Sequence, residues 1–323
     1  MNKIALVTGI SGQDGSYIAE LLISKNYTVI GVVRSIDNAR NKMNSSLFER
    51  VTLLEWDFLN QMEIINIVKE YAPSEIYNFA AFSSGSGMFD HPLELAEING
   101  LAVAKLLEAI RSVDTKIKFC QASSREVFGE ALISPQNELT PCQPRSPYGA
   151  AKLYADSMIK IYRERYNIFA CSAILFNHES PRRDLRFVTR RITDAAAKIK
   201  LGLSRELPLG NMDSIRDWGF AGDTVNAMWL MLQHEKPDDY IVATGVTHTV
   251  RQFCESAFSY LGLNFKDYVR EEASVYRTSE HSVLVGDASK AKNRLGWQPE
   301  VSFNELVRMM VDADMHSLMK NKS

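Results

Sequence analysis

The start of the chain constrains its fold more than any other segment. Lys3-Ile-Ala-Leu-Val-Thr8 is a short apolar run, Gly9-Ile-Ser-Gly12-Gln-Asp-Gly15 places a glycine at every third position, and Ser16-Tyr-Ile-Ala-Glu-Leu-Leu-Ile23 carries apolar residues at helical spacing. That order specifies a buried strand, a tight turn and a helix. Glycines let the turn's backbone approach a pyrophosphate closely, and the phosphate charge then sits at the helix N-terminus. A glycine pattern alone is a weak signal, but here the strand before it and the helix after it are those that dinucleotide binding requires. Gly9, Ser11, Gly12, Gln13, Asp14 and Gly15 are the residues expected to hold the dinucleotide.

The alternation continues along the chain. Strand-like runs recur at Thr28–Arg34, Val51–Asp57, Glu75–Ala80, Lys116–Gln121 and Phe169–Phe176, with helical patterns near 60–71, 92–112 and 147–166. Such alternation predicts an α/β fold with a Rossmann-type doubly wound parallel sheet and ligands at the carboxyl ends of its strands. From about residue 177 the pattern loosens and becomes rich in Arg, Asn, Asp and Gly, which reads as a smaller C-terminal substrate-binding α/β lobe. The expected division is a nucleotide-binding domain over 1–176 and a substrate lobe over 177–323. A segment near 220–245, including the strand-like Asp239–Thr244, is expected to return to a sheet. The stretch 37–50 reads as a polar loop.

A chain of 323 residues with 46% apolar and 24% charged content and a formal charge of −2 has ample material for a soluble globular core. No basic patch points to nucleic acid. No run approaches the ~20 apolar residues that span a bilayer, and Met1-Asn2-Lys3 leading straight into a strand does not read as a signal peptide, so no membrane partner and a cytoplasmic location are expected. Cys120, Cys142, Cys171 and Cys254 lack metal-ligand spacing, so neither a metal nor a disulfide is expected.

Chemistry concentrates in Gln121-Ala-Ser-Ser-Arg-Glu-Val-Phe-Gly129 and Ser146-Pro-Tyr-Gly-Ala-Ala-Lys152. Tyr148 and Lys152 are one helical turn apart on a shared face. A free tyrosine titrates near pH ~10, so as a base at neutrality it needs a neighbouring cation, at about 1.4 kcal/mol per unit of depression. Lys152 is placed to supply that, and a depressed Tyr148 is the expectation. An isolated Tyr-x-x-x-Lys is more often an ordinary amphipathic helix. The hydroxyl of Ser124 and the carboxylate of Glu126, directly after a strand, make it one part of a set suited to a sugar carbonyl. The second strand ends at Arg34 and Ser35, where an NAD enzyme would carry an acid for the ribose 2′-hydroxyl. A guanidinium and a hydroxyl suit a 2′-phosphate instead, which favours NADP.

Together these motifs resemble the extended short-chain dehydrogenase/reductase superfamily and, within it, the GDP-mannose 4,6-dehydratase family, from Ile4 to about Met310. Thr8-Gly-x-x-Gly-x-x-Gly15 and Tyr148-x-x-x-Lys152 are superfamily motifs. Ile174-Leu-Phe-Asn-His-Glu-Ser-Pro-Arg-Arg183, Leu209-Gly-Asn-Met-Asp-Ser-Ile-Arg-Asp-Trp-Gly219, Ala243-Thr-Gly-Val246 and Asp287-Ala-Ser-Lys-Ala-Lys-Asn-Arg-Leu-Gly-Trp297 are similar to the GDP-mannose branch itself. The resemblance implies a hydro-lyase that converts a GDP-hexose to its 4-keto-6-deoxy product. In it Tyr148 takes the C4 hydroxyl proton, Glu126 the C5 proton, Ser124 bonds O4 and Lys152 orients the nicotinamide ribose. It implies further NADP contacts from Asp57, Phe58, Ala80, Ala81, Ser83, His178 and Arg183, and GDP-sugar contacts from Asn177, Val188, Arg191, Arg216, Arg277 and Glu280. Similar enzymes assemble through two helices per subunit, so the resemblance implies a homodimer or homotetramer, with the helices near 92–112 and 147–166 at the contact.

Two departures stand out. Arg125 occupies a position where related dehydratases carry an aspartate and the GDP-mannose enzymes a serine, and an arginine is too basic to act as a general acid. The GDP-mannose enzymes read Ser-His-Val after the fourth strand, where this chain reads Ser83-Ser84-Gly85. The smaller wall admits a GDP-hexose other than mannose, such as GDP-N-acetylglucosamine or a GDP-heptose. A 4-keto-sugar reductase or epimerase of the same fold is the alternative, and it would not need Glu126.

Overall fold

The computed structural model describes residues 2–58, 60–82, 89, 91–272 and 283–320. The expected strands form one parallel sheet: β1 (Ile4–Thr8), β2 (Thr28–Val33), β3 (Thr52–Glu55), β4 (Glu75–Asn78), β5 (Lys118–Ala122) and β6 (Ala170–Leu175). A seventh strand, β10 (Tyr240–Val242), pairs parallel with β6, giving the order β10-β6-β5-β4-β1-β2-β3. The segment around Asp239–Thr244 therefore returns to the large sheet.

The side chains of β1 show how this sheet is held. Ala5 and Val7 point to one face and Leu6 to the other, and all three are fully buried, because successive strand residues alternate sides. Ala5 and Val7 belong to a core with Ile18 and Leu22 of α1 (Gln13–Ser24) and Val225, Met228 and Leu232 of α9 (Ala221–Gln233). Leu6 joins Ile76 and Phe119 under α4 (Gln61–Tyr71), α6 (Ala102–Val113) and α7 (Pro147–Tyr166), which contribute Ile64, Val68, Leu106, Ile110, Ala155 and Ile159. Helices thus cover both faces, as an all-parallel sheet requires.

Beyond β6 a smaller assembly has its own core. It comprises a three-stranded sheet, with β9 (Ile215–Phe220) between β7 (Asn177–Glu179) and β11 (Thr247–Thr249), and a two-stranded sheet of β8 (Leu207–Leu209) and β12 (Val269–Glu271). Ile192 of α8 (Val188–Lys200), Phe253 and Phe258 of α10 (Val250–Tyr260) and Val307 and Met310 of α12 (Phe303–Lys320) pack around Trp218. The junction with the large sheet is tied by Asp217, whose carboxylate accepts from Thr244 N–H (3.0 Å), Gly245 N–H (2.9 Å) and Gly286 N–H (3.3 Å).

Two expectations differ from the structure. The stretch 37–50 is helical, not a loop: α2 (Ile36–Lys42) and α3 (Ser45–Phe48) turn Ala39, Met43 and Leu47 into the core. The pattern near 92–112 is not one regular helix. After α5 (Pro92–Ala96) it passes through a π-helical turn, Glu97–Leu101, before α6. The wider turn carries the fully buried Asn99, whose side chain bonds both the N–H (2.9 Å) and the carbonyl (3.1 Å) of Phe82, fixing the loop after β4.

Candidate active site

The glycine turn is built so that no side chain fits. Gly9 has φ +67°, and a Cβ on Gly15 would lie 2.3 Å from the Gly9 carbonyl oxygen, so this backbone admits only glycine. Ser11, Gly12 and Ser16 line a cavity of about 300 Å³ together with Lys42, Asn44 and Arg182. Bare backbone, a helix N-terminus and two cationic side chains fit a phosphate-bearing dinucleotide. Ala80, two residues past the end of β4, is held against the turn by its N–H bond to the Thr8 hydroxyl (3.1 Å), and Ala81 follows it. Below them a buried line of polar side chains crosses three strands: Thr8 donates to Asn78, and Asn78 donates to Gln121 (2.6 Å).

The remaining expected cofactor residues occupy the same carboxyl edge. Arg34 is exposed at the end of β2, and Ser35 caps α2 by accepting from Asn38 N–H (3.3 Å). Asp57 and Phe58 follow β3, with Phe58 edge-on to Trp56 at 4.6 Å between centroids. His178 of β7 reaches Asp14 of the turn (2.9 Å) and bonds the Phe176 carbonyl (2.8 Å), while Gln13 donates to the His178 carbonyl (3.1 Å). Burial works to lower the His178 pKa, but the Asp14 carboxylate outweighs it and the net shift is upward. Asp14 goes the other way: burial raises it, and the charge and hydrogen bond of His178 bring it below its ordinary value. Arg183 pairs with Glu179 (3.1 Å) and lies over Phe187.

At the end of β5 the chain turns into a short 3-10 helix, Arg125–Val127, capped by Ser124, whose hydroxyl accepts from Glu126 N–H (3.2 Å). Arg125 and Glu126 both point inward, 6% and 9% exposed, and form an ion pair at 3.2 Å. Tyr148 lies in the first turn of α7 and hydrogen-bonds Ser124, with the charges of Glu126, Arg183 and Asp14 close enough to act on it. Lys152, 2% exposed, donates to the Ala122 carbonyl at the end of β5 (2.8 Å) and stands 5.7 Å from the Tyr148 ring centre. Ser124, Glu126, Tyr148 and Lys152 therefore converge at the carboxyl edge.

The expected depression of Tyr148 is not what this arrangement produces. Burial pushes its phenol up to about 12, against the opposing pull of the Ser124 hydrogen bond, and burial pushes the Lys152 ammonium down to about 8. Lys152 donates its hydrogen bond to a backbone carbonyl of β5, and burial dominates both groups. A further residue escaped the sequence reading. Asp156, one turn beyond Lys152, accepts from the Ser123 hydroxyl (2.6 Å) and from that of Ser172, and burial pushes its carboxyl up to about 7. Its spacing of four from Lys152 and eight from Tyr148 was the available signal.

In the smaller assembly, Asn177 lies in β7 with a buried side-chain oxygen that has no partner among the described residues. Val188 begins α8. Arg191 donates to the Pro208 carbonyl (2.8 Å) and Arg216 to that of Ile215 (2.6 Å). Ser83, Ser84, Gly85, Arg277 and Glu280 lie outside the described residues. Among those described, no group of His, Cys, Asp and Glu could hold a metal, and no helix is long and apolar enough to cross a membrane.

Fold and site together define a short-chain dehydrogenase/reductase architecture with a smaller second assembly. The structure is similar to UDP-glucose 4-epimerase from Thermotoga maritima with UDP-glucose (TM-score 0.87, 24% identity, 98% of this chain and 99% of that one). It is also similar to dTDP-glucose 4,6-dehydratase from Bacillus anthracis in complex with NAD (TM-score 0.83, 22% identity, 99% and 97% covered). In sequence, the profile described as GDP-mannose 4,6 dehydratase matches residues 6–310. The chain is 47% identical over 335 residues to GDP-mannose 4,6 dehydratase 2 of Arabidopsis thaliana (99% of this chain, 89% of that protein). With the human GDP-mannose 4,6 dehydratase the identity is 42% over 346 residues (99% and 93%). The chain belongs to the GDP-mannose 4,6-dehydratase family.

Proposed function

We propose that this chain is an NADP-dependent 4,6-dehydratase of a GDP-hexose. The observation that carries the reading is the convergence of Ser124, Glu126, Tyr148 and Lys152 beside a glycine turn that fits a dinucleotide. A bound oxidised nicotinamide supplies positive charge and holds a hydride between its removal from C4 of the sugar and its return to C6. Burial alone keeps the Tyr148 phenol protonated, so its base role requires the positive charge of the bound nicotinamide to bring it down; as the phenolate, Tyr148 would accept the C4 hydroxyl proton while the Ser124 hydroxyl bonds O4. Lys152, anchored on the Ala122 carbonyl, holds the ribose side of the site. The ketone at C4 makes the hydrogen on C5 acidic, which brings it within reach of a carboxylate base, and Glu126 removes it. Water departs from C6 with the proton taken from C5, and the hydride added at C6 would be matched by a proton at C5 equivalent to the one that Tyr148 removed from the C4 hydroxyl. Arg34 and Ser35 support NADP over NAD, and Asn177, Arg191 and Arg216 support a nucleotide sugar in the second lobe, where residues 177–323, apart from the segment near 220–245 that returns to the large sheet, form the substrate-binding part.

A homodimer through α5, α6 and α7 fits the same reading. These helices pack together, and Leu93, Leu101, Tyr154 and Ile161 stand exposed on them. A second copy would cover that apolar face. Four unpaired cysteines suit a cytoplasmic location.

The test is incubation of the purified protein with GDP-mannose, GDP-N-acetylglucosamine and the corresponding UDP and dTDP sugars, followed by mass spectrometry. Loss of one water from a GDP-sugar without added reductant is the expected result. Net consumption of NADPH on a 4-keto sugar, with no water lost from any of them, would replace the dehydratase by a reductase.

A further inference from the structure

Arg125 is buried beside the candidate base Glu126, and its surroundings give it a task. Ser124 sets the 3-10 turn, and the turn sends two consecutive charged side chains into the interior. Removing both from water is costly unless they meet. They do meet, with Arg125 Nη2 at 3.2 Å from Glu126 Oε1. Arg125 thus lies against one of the two carboxylate oxygens.

We propose that Arg125 is a positioning residue that clamps Oε1 of Glu126, so that Oε2 is fixed between C5 and O6 of the 4-keto sugar. The inference rests on the dehydratase reading. In the step it serves, Oε2 takes the C5 proton and the C5–H electron pair becomes the C5=C6 double bond. The C6–O6 bond breaks with its electrons on oxygen, and Oε2 passes the same proton to O6, which leaves as water. The carboxylate is regenerated and nothing is oxidised or reduced. A guanidinium stays charged throughout and gives up no proton. Its contribution is to hold one carboxylate in a position from which it serves as base and then as acid, so that no second acid is needed.

The test compares wild type, Arg125→Ser and Arg125→Lys on the GDP-sugar that wild type dehydrates, following kcat, KM and the near-ultraviolet absorbance of the reduced nicotinamide during turnover. A misplaced carboxylate slows elimination and leaves C4 oxidation intact. Arg125→Ser should lose about 100-fold in kcat with KM within about threefold of wild type, and reduced nicotinamide should accumulate. Arg125→Lys, which keeps the charge, should recover about tenfold of that loss, and guanidinium ion added to Arg125→Ser should restore part of it. A serine variant with wild-type kcat and no accumulated reduced nicotinamide overturns the proposal, and so does a loss confined to KM. If Arg125→Ser does not fold, Arg125→Lys decides alone: slower turnover with accumulation supports the clamp, and slower turnover without it overturns it. Failure of wild type to release water from any GDP-sugar overturns the dehydratase reading itself, and the clamp with it.

Discussion

Replacing Asp156 by asparagine should stabilise the protein at neutral pH and above while leaving its stability near pH ~4 unchanged. The side chain sits on α7 behind Lys152, accepting from the hydroxyls of Ser123 and Ser172. Burial raises its carboxyl to about 7, against the lowering pull of those hydroxyls and of Lys152. In the unfolded chain it titrates near ~3.9, so between about pH 4 and pH 7 the native state keeps a proton that the unfolded state has released. Stability then falls as pH rises, by about 1.4 kcal/mol per unit, or about 4 kcal/mol across the window. Asparagine is neutral throughout and can accept from one hydroxyl and donate to the other. Lys152, itself pushed down to about 8 by burial, loses an attracting carboxylate in the variant. Its attraction for Asp156 is already contained in that raised value, so the difference at neutral pH and above stays at about 4 kcal/mol. Urea unfolding midpoints of wild type and Asp156→Asn, followed from about pH 4.5 to about pH 8, measure the difference. Curves that stay parallel, or an asparagine variant that is the weaker at the alkaline end, would mean that the carboxylate is ionised and well solvated in the native protein.

Three other outcomes follow from single contacts. Tyr148→Phe should cut kcat by about 10²–10⁴ while calorimetric affinity for the GDP-sugar is kept; C4 oxidation at the wild-type rate would remove Tyr148 from the base role. Gly15→Ala puts a methyl 2.3 Å from the Gly9 carbonyl oxygen, so the turn must distort, at about 1–3 kcal/mol. Fluorescence titration should then show NADP affinity lowered about tenfold or more, and unchanged affinity would place the dinucleotide elsewhere. Asp217→Asn removes one of the two oxygens that together hold Thr244, Gly245 and Gly286. It should cost about 2–4 kcal/mol, read as a lower thermal midpoint, and a midpoint equal to wild type would show that the junction is held by other contacts.

The large sheet was legible because its signals are local. Each strand is a short apolar run, and Ala5, Leu6 and Val7 need only alternate to face the two helical layers. The stretch 37–50 was misread because its buried residues are few: Ala39, Met43 and Leu47 recur every fourth position among polar neighbours. A helix that buries one residue per turn carries a weak periodic signal. The π-helical turn was invisible for a different reason. Its purpose is the bond between Asn99 and the Phe82 backbone, a contact made in space that leaves no mark on hydrophobic spacing.

At the site, spacing located the groups and could not give their electrostatics. Lys152 stands four positions after Tyr148, which sets a shared helix face. Whether the ammonium then lowers the phenol depends on where the ammonium is held and how much water remains. Here it is held by the Ala122 carbonyl, and dehydration decides the direction for both groups. The same distinction applies to Arg125 and Glu126. Side chains at adjacent positions point to opposite sides of a strand and about 100° apart on an α-helix, so a sequence reader treats them as separate. Only the tight turn capped by Ser124 brings both into one buried pair. Arg125, too basic to serve as a general acid itself, becomes, once the turn is in place, the group that fixes where the neighbouring acid can act.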